Sequence, residues 1–206
     1  AYKIGRAVHT FLLEKHNFLN RYIVIPATAK KPTWNKRKEN YSPEEETYVT
    51  YMEVAAKKGK EILTCDQADL IDAIVTNVRE DKIVEDFLNG ADVEVTIRWI
   101  EQGVWCKARP DAVNRASRVL IDIKSCLSAH PEDFQKSIFN YGYIYQLAWY
   151  KRALMACDVI IDQCIIIAIE KEPPYDYAIY RLHPEEIALA DESNWAKSIL
   201  KGEQQP

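Results

Sequence analysis

The chain has 206 residues, 48% of them hydrophobic and 28% charged, a balance that suits one folded domain of α/β or mixed α+β type with a substantial core. A formal charge of -4 and a pI near 5.7 exclude a protein that coats nucleic acid by bulk electrostatics, but not one with a locally positive cleft around a cation. No apolar run reaches the length of a membrane span and no signal segment opens the chain. The five cysteines include no C-x-x-C pair, so neither a zinc ribbon nor a disulfide framework is expected.

A cytoplasmic protein follows. The sequence opens at Ala1 almost directly in a helical pattern, so the single domain of residues 1–206 is expected to lack residues at one or both ends. Gly5 to Phe18 carries Ala7, Val8, Phe11, Leu12 and Leu13 at helical spacing. His9 stands beside that stripe. A lone histidine there is ordinarily a hydrogen-bonded structural residue, and the Gly5-x-x-x-His9 spacing is what makes it a candidate for chemistry. Arg21 to Ile25 predicts a short strand ended by Pro26. The next stretch has no periodicity and gathers Lys30, Lys31, Lys36, Arg37 and Lys38 around Pro32, Trp34 and Asn35. It reads as a solvated loop or as a nucleic-acid contact in which Lys36 and Arg37 meet phosphates and Trp34 stacks on a base.

Ser42-Pro43-Glu44-Glu45-Glu46 signals a helix start, with Ser42 as cap, Pro43 in the first turn and acids toward the positive end of the dipole, and the helix should run to Gly59. Further helices are expected from near Asp66 through Val78 and over Ile83 to Leu88, the second stopped by Asn89-Gly90. Val93 to Ile100 alternates as one strand, with Glu94, Thr96 and Arg98 on one side. Glu94 reads as a solvent-facing acid or as one that reaches a metal site from a neighbouring strand. Glu101-Gln102-Gly103 then turns the chain.

Val104 to Lys124 reads as two strands joined by the polar turn Asn114 to Ser117. Alternation puts Leu120, Asp122 and Lys124 on one face and Val119, Ile121 and Ile123 on the other. With Asp111 on the preceding strand, a turn of this length brings it beside Asp122, and two carboxylates and one ammonium converge. Carboxylate oxygens attract hard divalent ions such as Mg²⁺, and a lysine beside such an ion can orient or deprotonate one of its waters. Asp122, inside Val-Leu-Ile-Asp-Ile, needs a cation or hydrogen bonds to stay charged.

Pro131 to Phe139 and Tyr141 to Ala156 are expected as helices, and Gln146 and Tyr150, four apart, share a face of the second. Ile160 to Ile169 and Tyr175 to Leu182 read as strands, and His183-Pro184-Glu185-Glu186 opens a last helix. No phosphate-binding loop, dinucleotide fingerprint, H-E-x-x-H or nucleophile elbow is present, so ATP hydrolysis, dinucleotide chemistry, zinc proteolysis and serine hydrolysis lack support.

Gly5-x-x-x-His9, Glu94, Pro110-Asp111 with Asp122-Ile123-Lys124, and Gln146-x-x-x-Tyr150 stand in one order. Together they resemble the RecB-type branch of the PD-(D/E)xK nuclease superfamily. Gly-Arg-Ala-Val-His-Thr-Phe-Leu-Leu-Glu, Cys-Lys-Ala-Arg-Pro-Asp, Ile-Asp-Ile-Lys-Ser and Tyr-Gly-Tyr-Ile-Tyr-Gln-Leu-Ala-Trp-Tyr resemble the RecE, or exonuclease VIII, group over nearly the whole chain. The resemblance implies a central mixed β-sheet flanked by helices and a 5′-to-3′ exonuclease acting on double-stranded DNA with free ends, dependent on Mg²⁺ or Mn²⁺. It implies His9, Asp111, Asp122 and the carbonyl of Ile123 as metal ligands and Lys124 as the catalytic lysine. Gln146 and Tyr150 would line the cleft, and Glu94 would bind metal or water. Phosphodiester hydrolysis by a metal-activated water, with in-line loss of the 3′ oxygen, would leave a 5′ phosphate.

The resemblance also implies a recombination role in a bacterium or phage, a homo-oligomeric ring and a single-strand annealing partner for the 3′ overhangs. Related nucleases with a four-cysteine iron-sulfur cluster have a closely spaced C-terminal cysteine group. Cys65, Cys106, Cys126, Cys157 and Cys164 do not reproduce it, so no such cofactor is expected. Two other readings use the same residues: an endonuclease or single-strand nuclease, and a DNA-binding or assembly module without cleavage. The complete Asp111, Asp122 and Lys124 set argues against the last.

Overall fold

Local signals set the first elements of the chain, which the computed structural model describes over residues 2–33 and 36–192. Two compact units emerge, Ala1–Arg79 and Glu80–Pro206. The first holds α1 (Tyr2–Leu13), α2 (Lys15–Arg21), β1 (Tyr22–Ile25), a 3₁₀ turn at Lys38–Asn40, α3 (Pro43–Lys58), β2 (Glu61–Thr64) and most of α4 (Cys65–Glu80). The helix expected over residues 5–18 is broken at Glu14. Its buried carboxylate accepts from Asn17 Nδ2 at 2.9 Å and Arg21 Nη2 at 2.7 Å, and Arg21 also donates to Thr10 Oγ1 at 3.2 Å. An acid out of water needs those donors, and the break lets it have them.

α3 starts as its sequence dictates. Glu45 N donates to Ser42 Oγ at 3.4 Å and Ser42 N to the Glu45 carboxylate at 2.8 Å, a reciprocal cap worth about 1 kcal/mol. The helix ends where Gly59 takes φ 62°, a left-handed conformation that glycine adopts without steric penalty. β2 has too few residues to show a period, and pairs in parallel with β1, Tyr22 opposite Glu61 through Ile25 opposite Thr64.

The second unit contains α5 (Lys82–Leu88), β3 (Asp92–Val93), β4 (Ile97–Glu101), β5 (Val104–Ala108), β6 (Ala112–Asn114), β7 (Val119–Cys126), α6 (Pro131–Asn140), α7 (Tyr143–Met155), β8 (Gln163–Glu170), β9 (Tyr177–Leu182) and α8 (Pro184–Glu192). A five-stranded mixed sheet runs in the order β3-β6-β7-β8-β9. Its central pair, β7 and β8, is parallel and joined through α6 and α7, while the other neighbours are antiparallel. Burial on both faces explains the near-continuous apolar runs of β7 and β8. Leu120, Ile166 and Ala168 pack with Phe134, Ile138, Leu147 and Ala148 of the two helices in one core.

Two expected strands are each divided. The strand over residues 93–100 stops at Val93, Glu94 turns left-handed with φ 53°, and β4 begins only at Ile97. The strand expected from Val104 is interrupted between β5 and β6 at Arg109-Pro110-Asp111, because Pro110 offers no N–H to a ladder. Asp111 therefore stands in a bend and not on a strand. The segment between the two breaks leaves the main sheet as a separate antiparallel ribbon, β4–β5, closed by Gln102 and Gly103 with φ 50° and 81°, the two positive values of a tight hairpin turn. α7 begins at Tyr143, not Tyr141, because Gly142 precedes it with φ 65°.

Candidate active site

The site grows from the end of β6. Ala112 pairs with Ile121, so the antiparallel register carries Asp111 opposite Asp122, one step beyond the last ladder pair. Ile123 N donates to Asp111 Oδ2 at 2.7 Å. In a strand the N–H and C=O of one residue leave toward the same neighbour, so the Ile123 carbonyl also points to the Asp111 edge of β7. Asp111 O accepts from Glu94 N at 2.9 Å, and a carboxylate oxygen of Glu94 lies within 4.8 Å of one of Asp111.

Glu94 is held in a conformation that costs a non-glycine residue about 1–3 kcal/mol. Arg109 secures it from two directions, its Nε 2.6 Å from Glu94 Oε2 and 3.0 Å from Glu94 O.

Asp122 is fully buried. Lys124, two residues on and on the same face, brings Nζ to 2.7 Å from Asp122 Oδ2. That ammonium also donates to Gln146 Oε1 at 2.8 Å and sits 4.7 Å from the centre of the Tyr143 ring. Gln146 Nε2 in turn donates to the Tyr150 hydroxyl oxygen at 2.8 Å. One face of α7 thus presents Tyr143, Gln146 and Tyr150 at i, i+3 and i+7, and positions the lysine from above the sheet.

Electrostatics report the same convergence. Burial pushes the Tyr150 hydroxyl up to about 12, and after it the negative charges of Asp122, Asp111 and Glu94 act in the same direction, against the Gln146 hydrogen bond. Burial and then Asp122 hold Tyr143 at about 12 as well. Both rings stay protonated in the fold above the ordinary value of 10.0. Their contribution to stability is complete below pH 10 and is lost as the pH climbs from about 10 toward 12. A phenolate absorbance titration is expected to show both rings ionising late, with one late group removed in Tyr150→Phe. Ionisation of both at pH 10 would contradict this environment.

The donor set fits a hard cation. The carboxylates of Glu94, Asp111 and Asp122 and the Ile123 carbonyl offer hard oxygen donors, and the separation within 4.8 Å between Glu94 and Asp111 is one that two bonds of roughly 2.0–2.6 Å can bridge. Lys124 supplies an ammonium directly beside this oxygen set, ion-paired with Asp122. Burial pushes the Cys126 and Cys164 thiols up to about 11, which leaves them as protonated thiols.

The structure thus brings together Glu94, Asp111, Asp122, Ile123, Lys124, Gln146 and Tyr150. His9 lies on α1 of the first unit, as a partly buried residue. Lys36 pairs with Glu45 at the start of α3, an ion pair that holds the Glu45 carboxyl below its ordinary range. Arg37 is largely exposed, with Nη1 3.9 Å from Glu39. Trp34 lies outside the described residues. Sequence reading missed Arg109 and Tyr143. Arg109 is signalled only by adjacency to Pro110-Asp111, and Tyr143 only by sharing the face of Gln146 and Tyr150.

A mixed sheet with a helix pair over it, carrying Pro110-Asp111 and Asp122-Ile123-Lys124 side by side, is the core of the PD-(D/E)xK nuclease class. Within that class the chain belongs to the family described as PDDEXK-like domain of unknown function (DUF3799), whose sequence model matches residues 1–202. No curated protein matches the sequence significantly. Among solved structures it is similar to a candidate exonuclease of Eubacterium rectale, with 14% identity and a TM-score of 0.55 over 79% of this chain. The chain spans 65% of that protein's length. It is also similar to a phage-related exonuclease from Haemophilus somnus 129PT, with 14% identity and a TM-score of 0.37 over 84% of this chain and 91% of that one. No helix among the described residues is long and apolar enough to cross a membrane.

Proposed function

We propose that the chain is a metal-dependent deoxyribonuclease, and specifically a 5′-to-3′ exonuclease that acts on linear double-stranded DNA in recombination and leaves 3′ overhangs. The observation that carries it is Lys124 Nζ held 2.7 Å from buried Asp122 and 2.8 Å from Gln146, beside Asp111 and Glu94. Asp111, Asp122 and the Ile123 carbonyl would hold Mg²⁺ or Mn²⁺, with His9 as the ligand from α1 and Glu94 binding metal or water. When bound, such a cation supplies charge stabilisation at the phosphoryl group and an acidified water.

The residues of the chain have separable tasks. Lys124 orients the attacking water and, once its ammonium has given a proton to solvent, would take the water's proton as the neutral amine. Gln146 fixes the Lys124 side chain by accepting a hydrogen bond from its Nζ, and Tyr150 fixes the Gln146 amide by accepting one from its Nε2. Arg109 keeps the Glu94 carboxylate turned toward Asp111. The direction of attack, the ring of identical subunits, the strand-annealing partner and the cytoplasmic setting in a bacterium or phage rest on the resemblance of the motifs to the RecE group.

The test incubates the chain and Mg²⁺ with 5′-phosphorylated linear duplex, single-stranded DNA and covalently closed circles. Linear duplex is expected to shorten from its 5′ ends while closed circles survive. Nicking of the circles would replace the exonuclease by an endonuclease, preference for the single strand would make it a single-strand nuclease, and no cleavage of any would leave only a DNA-binding or assembly role.

A further inference from the structure

The β4–β5 ribbon has one face that the site does not use. Its inner residues Ile97, Trp99, Cys106 and Ala108 are buried, with the Trp99 ring 5.0 Å from Trp149 of α7 and Trp149 Nε1 donating to Lys107 O at 3.3 Å. The outer face carries Arg98 opposite Lys107 and Ile100 opposite Trp105. Trp105 is 74% exposed and Ile100 59%. The single acid between Ile97 and Ala108, Glu101, is drawn away by Arg152 at 2.8 Å and by the Trp99 indole N–H at 2.9 Å. Neither Arg98 nor Lys107 makes an ion pair among the described residues.

Two like charges directly opposite each other weaken a strand pair, and an indole in water forgoes its burial. An anion between the cations and a flat ring against the indole would offset both costs. A single nucleic-acid strand offers both at once, phosphates for Arg98 and Lys107 and an unstacked base for Trp105. The ribbon also springs from the site itself: Glu94 precedes β4 by three residues and Asp111 follows β5 by three. From Trp105 to Asp111 the chain extends at most on the order of 20 Å, at roughly 3.3 Å per residue.

We infer that the outer face of β4–β5 is a binding track for a single DNA strand, with Trp105 as its stacking platform and Arg98 and Lys107 as its phosphate contacts. This rests on the nuclease reading and adds to it the surface that handles an unpaired strand next to the metal ligands. Exposed Trp105 can be changed without disturbing the core.

The test measures fluorescence anisotropy of a labelled oligothymidine and of a blunt duplex with the full chain in chelator, so that binding is read without cleavage. Trp105→Ala is expected to weaken single-strand binding about tenfold or more, Trp105→Phe to retain most of it, and blunt-duplex binding to change little. Arg98→Gln with Lys107→Gln should lower the slope of log affinity against log salt by about 1.4, at roughly 0.7 per phosphate on a single strand. Wild-type affinity in all three variants would overturn the track and leave the nuclease intact. Equal losses on both DNA forms would make the ribbon a general backbone contact and overturn the single-strand assignment. A change in oligomeric mass by light scattering without a change in DNA affinity would make it a contact between copies of this chain. Failure of the wild type both to bind and to cleave DNA would overturn the track and the nuclease reading together.

Discussion

Replacing Lys124 by Ala is expected to lower phosphodiester hydrolysis by about 10²- to 10⁴-fold, the range in which one positioned proton-transfer group acts. The ammonium is 2.7 Å from Asp122 and 2.8 Å from Gln146, so its position is set from the sheet and from α7 at once. The same substitution removes the Lys124 ion pair from fully buried Asp122, and breaking a buried pair costs about 3–5 kcal/mol. Loss of activity in Lys124→Ala alone would therefore mix chemistry with folding. Lys124→Arg separates them, since a guanidinium keeps a cation near Asp122 yet does not release a proton at any assay pH. The expected result is near wild-type thermal stability with activity still strongly reduced. Lys124→Arg retaining full activity would remove proton transfer from the role of this residue.

Divalent metal is expected to raise the melting temperature, and Asp122→Asn to abolish most of that rise. Glu94, Asp111 and Asp122 crowd the end of β6 closely enough that all three act on Tyr150, and crowded carboxylates repel one another until a cation joins them. A ligand that binds only the folded chain at a hundred times its dissociation constant adds about 2.7 kcal/mol. In a chain of this size that shifts the midpoint by roughly 5–10 °C. Mn²⁺ titration by calorimetry and by thermal melts, with Asp122→Asn and His9→Ala beside the wild type, reads the effect directly. An unchanged melt in the wild type or an undiminished shift in Asp122→Asn would count against the oxygen-donor set. Weaker binding in His9→Ala is expected, and unchanged binding would leave His9 with a structural role on α1.

Much of the site was legible because its signals are local or periodic. The alternation of β7 alone places Asp122 and Lys124 on one face, and a helix places Gln146 one turn from Tyr150. The turn between Asn114 and Arg118 closes a hairpin whose register runs from Asn114 opposite Val119 to Ala112 opposite Ile121, which carries Asp111 to Asp122. The cap of α3 was equally plain, since Ser42 and Glu45 are three residues apart and satisfy each other. The divided strands were not. Period-2 alternation continues unbroken from Val93 to Ile100, and nothing in it says that Glu94 takes φ 53°. That conformation depends on Arg109 and on the carbonyl of Asp111, fifteen and seventeen residues further along.

By itself the sequence determined which residues alternate, which cap, and that Asp122 and Lys124 share one strand face with Asp111 brought beside them by the preceding hairpin, because these follow from bonding and sterics within a few residues. Only the tertiary structure decided that β4–β5 leaves the sheet, that Arg109 props Glu94 and that Tyr143 and Gln146 hold the lysine. Those contacts join parts of the chain whose spacing carries no period, so burial and hydrogen bonding across the folded unit had to select them.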